Sequence, residues 1–257
     1  MNAIADVQSS VDKRNMPINQ VGIKNFRLPV RIASADGIQH TVAELTMTVA
    51  LPEEQKGTHM SRFIELIQAQ QDNIDGRVLR QLTETMLHKL DAVAGKISLS
   101  FPFFRQKQAP ISAISSLMDY QVKLCAEITD GSYVQTMQVM VPVTSLCPCS
   151  KEISAYGAHN QRSHVTVTVS GQDEIQIEEI INLIEQQASC QLYALLKRPD
   201  EKFVTEYAYD HPKFVEDMVR DVATSLKNNN KVTSFTVESE NFESIHNHSA
   251  YALIQYP

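Results

Sequence analysis

The chain has 257 residues, of which 43% are apolar and 21% are charged, and its formal net charge is −7. This balance is typical of a globular protein, and the length allows one large domain or two smaller ones. The negative charge argues against a general nucleic-acid binder, because such a protein needs a concentrated basic surface.

No run of about 18 apolar residues occurs in the sequence, so we expect no membrane span. The first residues, MNAIADVQSSVDKRNMPINQ, are polar and lack the apolar segment of a secretory signal. We therefore expect a cytoplasmic protein, in which cysteines are more often free, metal-binding or catalytic than paired. Cys125 and Cys190 lie in apolar runs and are expected in the core.

The first half of the chain shows strand and helix patterns in a regular order. Residues 1–18 have no periodicity, so we expect a flexible arm there. Apolar residues alternate at 26–32 and 45–51, which predicts two paired strands, and helical spacing at 63–67 and 78–90 predicts two helices. Three further strands are predicted at 97–103, 122–128 and 137–143, with a hairpin turn at TDGS between the last two.

The second half repeats this order in a shorter form. The elements predicted there are a strand at 165–169, a helix from Ile177 to Leu196, a helix that opens at Pro212 and reaches Leu226, and strands at 232–238 and 245–255. We therefore predict an α+β protein with two tandem units, each an antiparallel sheet with a helix pair on one face. The predicted units are residues 19–145 and 146–257.

The segment VTSLCPCSKEISAYGAHNQRSHV contains two closely spaced cysteines, Cys147 and Cys149. They are too close together for a zinc-finger knuckle, which uses C-x₂₋₄-C and a second such pair. A catalytic metal site needs only about three protein ligands from separate segments and an open position. We expect Pro148 to hold the two side chains in an extended geometry, pointing apart. Cys147 is then a candidate ligand or an inert loop thiol, and Cys149 is a free thiol beside it. His159 is a ligand candidate or a solvated loop histidine.

Further candidates lie in the second half. His246 and His248 are two residues apart, so on a strand they would face the same side. They are either two ligands, a ligand beside an acid–base group, or part of a polar face open to water. Glu201 is either a surface carboxylate in a link between helices or a ligand. Glu216 either stabilises a helix start or accepts two N–H bonds from a base such as guanine.

A possible phosphate site lies in the first half. His59, Ser61 and Arg62 come at the predicted start of a helix, where backbone N–H groups and basic side chains favour anions. Lys24 and Arg27 could join them from the first strand. The alternative is a capped helix with ordinary surface charges.

Five segments taken together resemble the type IB GTP cyclohydrolases, and the resemblance covers nearly the whole chain from about Val21 on. They are GTHMSRF at 57–63, VPVTSLCPCSKEIS at 141–154, GAHNQRSHV at 157–165, KRPDEKFVTEYAYDHPKFVED at 197–217 and ESIHNHSA at 243–250. The resemblance implies the tunnelling fold, with two units per subunit and a homo-oligomer, expected to be a tetramer, around a central channel.

The resemblance also implies a reaction, in which water opens the imidazole ring of GTP to give formate and 7,8-dihydroneopterin triphosphate. This is a first step towards folate and some modified tRNA bases. The implied metal ligands are Cys147, His159, Glu201 and His246, and Glu216 is the implied guanine anchor. One divalent metal per site is expected, which is zinc, manganese or iron(II), and no organic cofactor. His248, or a ligand released by the metal, is the expected proton donor.

Two other functions remain open. One is a cysteine-nucleophile enzyme on the same fold, such as a queuosine-pathway nitrile reductase, in which Cys147 or Cys149 would attack the substrate. The other is a non-enzymatic metal-binding or assembly module. The histidine pair and the origin of the candidate ligands in four separate segments favour the cyclohydrolase.

Overall fold

The computed structural model of the chain describes residues 8, 10–70, 72–171 and 175–257. The strands are β1 (Ile18–Ser34), β2 (Gly37–Leu51), β3 (Gly95–Gln108), β4 (Ser115–Thr129), β5 (Ser132–Leu146), β6 (Asn160–Gly171), β7 (Cys190–Gln191), β8 (Val232–Asn241) and β9 (Ala250–Tyr256). The helices are α1 (Met60–Ala69), α2 (Gly76–Leu90), α3 (Pro148–Ile153), α4 (Ile177–Gln187), α5 (Arg198–Asp210) and α6 (Val215–Lys227). Within these ranges no helix is both long and apolar enough to cross a membrane.

The chain forms two compact units, and the first contains the residues up to Ala33 together with Gly37–Phe101 and Lys123–Thr136. Its strands are neighbours in the order β1-β2-β3-β4-β5. The β4–β5 hairpin turns at Asp130 and Gly131, both with positive φ, as two-residue hairpin turns favour. The predicted order of strand, strand, helix, helix and three strands is confirmed.

The core of the first unit lies between one face of its sheet and the helices α1 and α2. Antiparallel pairing of β2 with β3 places Leu45 opposite Leu99 and Met47 opposite Ile97, and all four side chains are fully buried. α1 packs against α2. Burial of each such side chain contributes about 1.5–3 kcal/mol, so this alternation fixes which face of the sheet receives the helices.

The second unit contains Ser34–Asp36, Pro102–Val122 and Met137–Pro257. Its strands are neighbours in the order β3-β4-β5-β6-β8-β9, and β7 pairs with β5. α6 packs on β8 and β9 and also contacts α4, which gives this unit a helix pair as well. The core consists of the buried apolar side chains of β6, β8, α4 and α6, among them Val165, Val167, Val237, Ile180, Ile184, Val222 and Leu226.

The observed division of the chain differs from the predicted boundary between residues 145 and 146. β3, β4 and β5 each contribute residues to both compact units, so the units are not continuous segments. Of the predicted flexible arm, residues 1–7 and 9 lie outside the described residues. Val11 forms an isolated bridge with Gln55, and β1 begins at Ile18.

Several element predictions in the second half are wrong. The helix predicted from Ile177 to Leu196 ends at Gln187, because Cys190 and Gln191 leave it to pair with β5. The region around Glu201, which was predicted to be a link, is the helix α5. α6 begins at Val215 rather than at Pro212.

The last predicted strand also starts later than expected. Residues 244–248 form bends, and β9 begins only at Ala250. The segment 148–153, which follows Cys147, forms the short helix α3, which was not predicted.

Candidate active site

Cys147 lies in the second unit, directly after β5, and is the N-cap residue of α3. The backbone N–H of Ser150 donates to the Cys147 sulfur over 3.5 Å, and the Ser150 hydroxyl donates to the Cys147 carbonyl over 3.1 Å. The end of a core strand and a capped helical turn therefore fix the backbone from which this thiol projects.

His159 lies beside Cys147 through backbone contacts. The Cys147 N–H donates to the His159 carbonyl over 3.1 Å, and the His159 N–H donates to the Ser150 hydroxyl over 3.2 Å. Ser150 therefore connects both residues. The loop between them folds back, as the proposal of two ligands from one segment requires.

The extended geometry that we expect around Pro148 is wrong. Pro148 occupies the first turn of α3, where its fixed φ suits a helix start and its missing N–H is not needed. Cys149 is therefore helical and exposed, while Cys147 is half-buried. Cys190 is buried as predicted, and Cys125 is half-buried.

The His159 ring is held from its Nδ1 side. Nδ1 lies 2.9 Å from Oε1 of Gln161 and 3.9 Å from Oε2 of Glu243. The side chains of His159 and Glu243 are only 14% and 12% exposed, so this polar cluster is largely shielded from water.

Glu201 projects from the first turn of α5 and is exposed. The residue before it, Asp200, is fully buried and accepts four hydrogen bonds. The donors are the Ser112 hydroxyl at 2.6 Å and the backbone N–H groups of Ile111, Ser112 and Lys197 at 2.8, 2.8 and 2.9 Å. Burial alone would raise the pKa of Asp200, but these hydrogen bonds hold it well below its usual range. Asp200 thus anchors the turn that carries Glu201.

Glu216 is exposed in the first turn of α6, where the positive end of the helix favours a carboxylate. The Lys213 N–H donates to the Leu146 carbonyl over 3.0 Å. This bond joins the segment that precedes Glu216 to the residue before Cys147. The backbone segments that carry Glu216 and Cys147 are therefore hydrogen-bonded to each other.

His246 and His248 lie in the bends between β8 and β9 and are exposed. Their rings stack with centroids 5.2 Å apart and planes 20° apart. The two rings therefore lie on the same side, as we expect, but the segment that carries them is a series of bends and not a strand.

The phosphate candidates belong to the first unit. His59 is the N-cap residue of α1, and Ser61 and Arg62 lie in its first turn, which confirms the predicted helix start. Arg62 also donates to the Lys89 carbonyl over 3.3 Å. Lys24 and Arg27 lie on β1, where Arg27 forms an exposed ion pair with Glu44 over 3.4 Å.

The four candidate metal ligands do not form a finished site within this chain. Across the described ranges, no three His, Cys, Asp or Glu side chains are close enough together to hold a metal ion. The structure brings Cys147 and His159 together, whereas Glu201 and His246 are exposed on separate elements. Sequence reasoning missed the residues that orient this region, which are Ser150, Gln161, Asp200 and Glu243.

The fold is similar to that of solved uricases. Uricase from Arthrobacter globiformis aligns over 93% of this chain and 92% of its own, with a TM-score of 0.52 at 10% identity. A highly active mutant of Bacillus sp. TB-90 urate oxidase aligns over 93% and 99%, with a TM-score of 0.51 at 8% identity. At such low identity the likeness concerns the fold alone, which is a tunnelling-fold-like antiparallel sheet with helices.

The sequence comparisons define the family more narrowly. A family model described as type I GTP cyclohydrolase folE2 matches residues 4–252. Proteins named GTP cyclohydrolase FolE2 from Neisseria meningitidis serogroup A and Neisseria gonorrhoeae are 66% identical over the whole chain, which covers 86% and 100% of their lengths. The FolE2 of Herminiimonas arsenicoxydans is 57% identical over 99% of this chain and 98% of its own. The chain therefore belongs to the type I GTP cyclohydrolase folE2 family.

Proposed function

We propose that the chain is a GTP cyclohydrolase, which converts GTP and water to formate and 7,8-dihydroneopterin triphosphate in folate biosynthesis. The observation that carries this function is identity of 57–66% to named GTP cyclohydrolases across the full chain. The family model covers all the residues proposed for the site. The same product, 7,8-dihydroneopterin triphosphate, also serves the synthesis of some modified tRNA bases in this proposal.

The proposed metal ligands are Cys147, His159, Glu201 and His246. A thiolate, two imidazoles and a carboxylate suit zinc, manganese or iron(II), so the chemistry of the donor set fits a divalent transition metal. The hydrogen-bonded backbones of Cys147 and His159 support their joint role, and exposure leaves the other two side chains free to adjust. When bound, a divalent metal supplies Lewis-acid activation of the water that attacks guanine C8.

The other residues bind the substrate and move protons. Glu216 accepts two N–H bonds from the guanine edge, which orients C8 for attack. His248 donates a proton to the ring nitrogen that leaves C8, acting as a general acid. The proposed triphosphate contacts lie in the first unit. His59, Ser61 and Arg62 belong to the start of α1, and Lys24 and Arg27 lie on β1.

We also propose a homo-oligomer, with the tetramer as the expected state. β9 is paired on one side within the described residues, by β8, and it exposes Tyr251 and Leu253. An edge strand with apolar side chains is suited to pairing with a second copy. Analytical ultracentrifugation measures the mass directly, and a monomer at micromolar concentration would contradict this part.

The activity is tested by incubating the full chain with GTP and measuring formate together with the fluorescent pterin that forms on oxidation. We expect equal amounts of both products, and none from ATP, because adenine does not present the two N–H donors that Glu216 would recognise. No formate from GTP would contradict the proposal. A covalent adduct of substrate on Cys147 or Cys149, seen by intact-protein mass spectrometry, would instead indicate the cysteine-nucleophile function.

A further inference from the structure

A chain of hydrogen-bonded polar side chains, all within the second unit, extends from His159. Gln161 lies two residues after His159 on β6 and is 8% exposed. Its Nε2 donates to the Ser145 hydroxyl over 3.1 Å and to Oε1 of Glu243 over 3.3 Å. The Ser145 hydroxyl in turn lies 2.7 Å from that of Ser163, which is 1% exposed.

This network fixes the orientation of the Gln161 amide. A carboxylate only accepts hydrogen bonds, so Glu243 requires the NH₂ group of Gln161 on its side. The amide oxygen must then face Nδ1 of His159, at 2.9 Å. With the amide reversed, its oxygen would lie against the Glu243 carboxylate, and a buried acceptor would lose its donor.

The orientation of the Gln161 amide determines which ring nitrogen of His159 carries a hydrogen. An amide oxygen accepts only, so Nδ1 of His159 must carry a hydrogen. The Glu243 carboxylate at 3.9 Å from Nδ1 favours a hydrogen on the same atom. In a neutral ring this leaves the lone pair on Nε2, which has no hydrogen-bond partner within the described part of the chain.

We propose that Gln161, oriented by Glu243, is a positioning residue that holds His159 in the Nδ1–H tautomer and presents Nε2 as the donor atom for the metal. The role as a ligand rests on the proposed function, whereas the tautomer does not. Partners that orient a ligating histidine typically change metal affinity about 10–100-fold when they are removed.

The test uses the metal-free full chain labelled with ¹⁵N-histidine, at a pH well above the usual imidazole pKa of about 6.5. Long-range ¹H–¹⁵N correlation spectra distinguish the protonated from the unprotonated ring nitrogen, and the His159 signals are assigned by their absence from His159→Asn. We expect Nδ1 protonated in the wild type, and a change to the Nε2–H form or a mixture in Gln161→Met. Zn²⁺ affinity, from competition with a chromophoric chelator, should fall about 10–100-fold in that variant.

Two further variants keep the result interpretable. Gln138→Met removes an amide of the same kind from β5. The Gln138 amide donates to the Thr168 hydroxyl over 3.1 Å and makes no hydrogen bond to a histidine among the described residues, so the tautomer and the Zn²⁺ affinity should stay as in the wild type. The double variant Gln161→Glu with Glu243→Gln moves the amide to position 243 and leaves a carboxylate acceptor at position 161. It should therefore keep the Nδ1–H form of the wild type.

The inference is overturned by an Nε2–H tautomer in the wild type, by an unchanged tautomer in Gln161→Met, or by a changed tautomer with unchanged Zn²⁺ affinity. Failure of the proposed function would look different. The wild type would then show the Nδ1–H form but produce no formate from GTP.

Discussion

A buried ion pair in the second unit allows a sharp prediction about stability. Lys107, at the end of β3, lies 2.7 Å from Glu185 of α4, with side chains 10% and 7% exposed. The Tyr120 hydroxyl donates to the same carboxylate oxygen over 2.8 Å. Burial lowers the pKa of Lys107, although the Glu185 carboxylate opposes this shift. Desolvation therefore outweighs the attraction at the lysine, which is the usual balance for buried pairs.

Lys107→Met should destabilise the protein by about 3–5 kcal/mol, because it leaves the Glu185 carboxylate buried without its cation. At about 2–4 °C per kcal/mol for a chain of this size, the melting temperature should fall by about 6–20 °C. The assay is urea unfolding followed by circular dichroism, with thermal melts in parallel. The triple variant Lys107→Met, Tyr120→Phe and Glu185→Leu should recover most of the loss, because it leaves no buried polar group unpaired.

The matched control is Lys231→Met, which removes a cation from the pair that Lys231 forms with Glu179 over 2.8 Å at 37% and 38% exposure. Surface pairs contribute about 0–1 kcal/mol, so this variant should be close to the wild type. The reasoning is refuted if Lys107→Met costs no more than Lys231→Met, or if the triple variant is as unstable as the single one.

Three other changes have expected outcomes. Glu216→Gln should lower kcat/KM for GTP about 10–150-fold, because a hydrogen bond to a charged group is lost. The ratio of kcat/KM for GTP to that for ITP should also fall, and an equal loss for both nucleotides would contradict the guanine contact. The folded-state pKa of Asp200 lies below its usual value of about 3.9. Asp200 therefore stabilises the fold at pH values above about 3.9, and this stabilisation is lost as the pH falls towards the folded-state pKa. Asp200→Asn should therefore lower the urea midpoint strongly at about neutral pH, and by progressively less as the pH falls below about 3.9 towards the folded-state pKa, whereas a constant difference would contradict this linkage. Ser150→Ala should destabilise by about 1–3 kcal/mol in urea unfolding, because the His159 N–H loses its acceptor; no loss would mean that water replaces the hydroxyl.

The strands of the first half could be predicted because their apolar residues alternate over long stretches, as in β2. α5 could not be predicted from periodicity, since it carries Phe203, Val204 and Tyr207, which are weak helix formers, on a largely exposed surface. Its start signals were Pro199 in the first turn and Asp200 at the third helical position. The helix that we predict through Leu196 is wrong beyond Gln187, because Cys190 and Gln191 pair with β5 although the apolar residues around them keep a helical spacing.

The candidate ligands were accessible through the resemblance of five segments, but the residues that support them were not. Ser150 and Gln161 are uncharged, and nothing in their types distinguishes them from ordinary surface residues. The spacing of two between His159 and Gln161 on a strand was the available signal, since it places both on one face. The hydrogen bond between Gln161 and Glu243 joins β6 to the segment that follows β8. Which residues meet there depends on the register in which β6 pairs with β8, and single-strand patterns do not reveal that register.

The central claim is a GTP cyclohydrolase whose site includes a metal bound through Cys147. The most direct test measures bound metal and formate release from GTP together, in the wild type, Cys147→Ala and Cys125→Ala. Cys125 is half-buried in the first unit and burial raises the pKa of its thiol, so it serves as the matched cysteine. We predict about one divalent metal per site and GTP turnover in the wild type and Cys125→Ala, loss of both in Cys147→Ala, and activity that chelation abolishes and added metal restores. Full turnover after exhaustive chelation, or stoichiometric metal and activity in Cys147→Ala, would contradict the account.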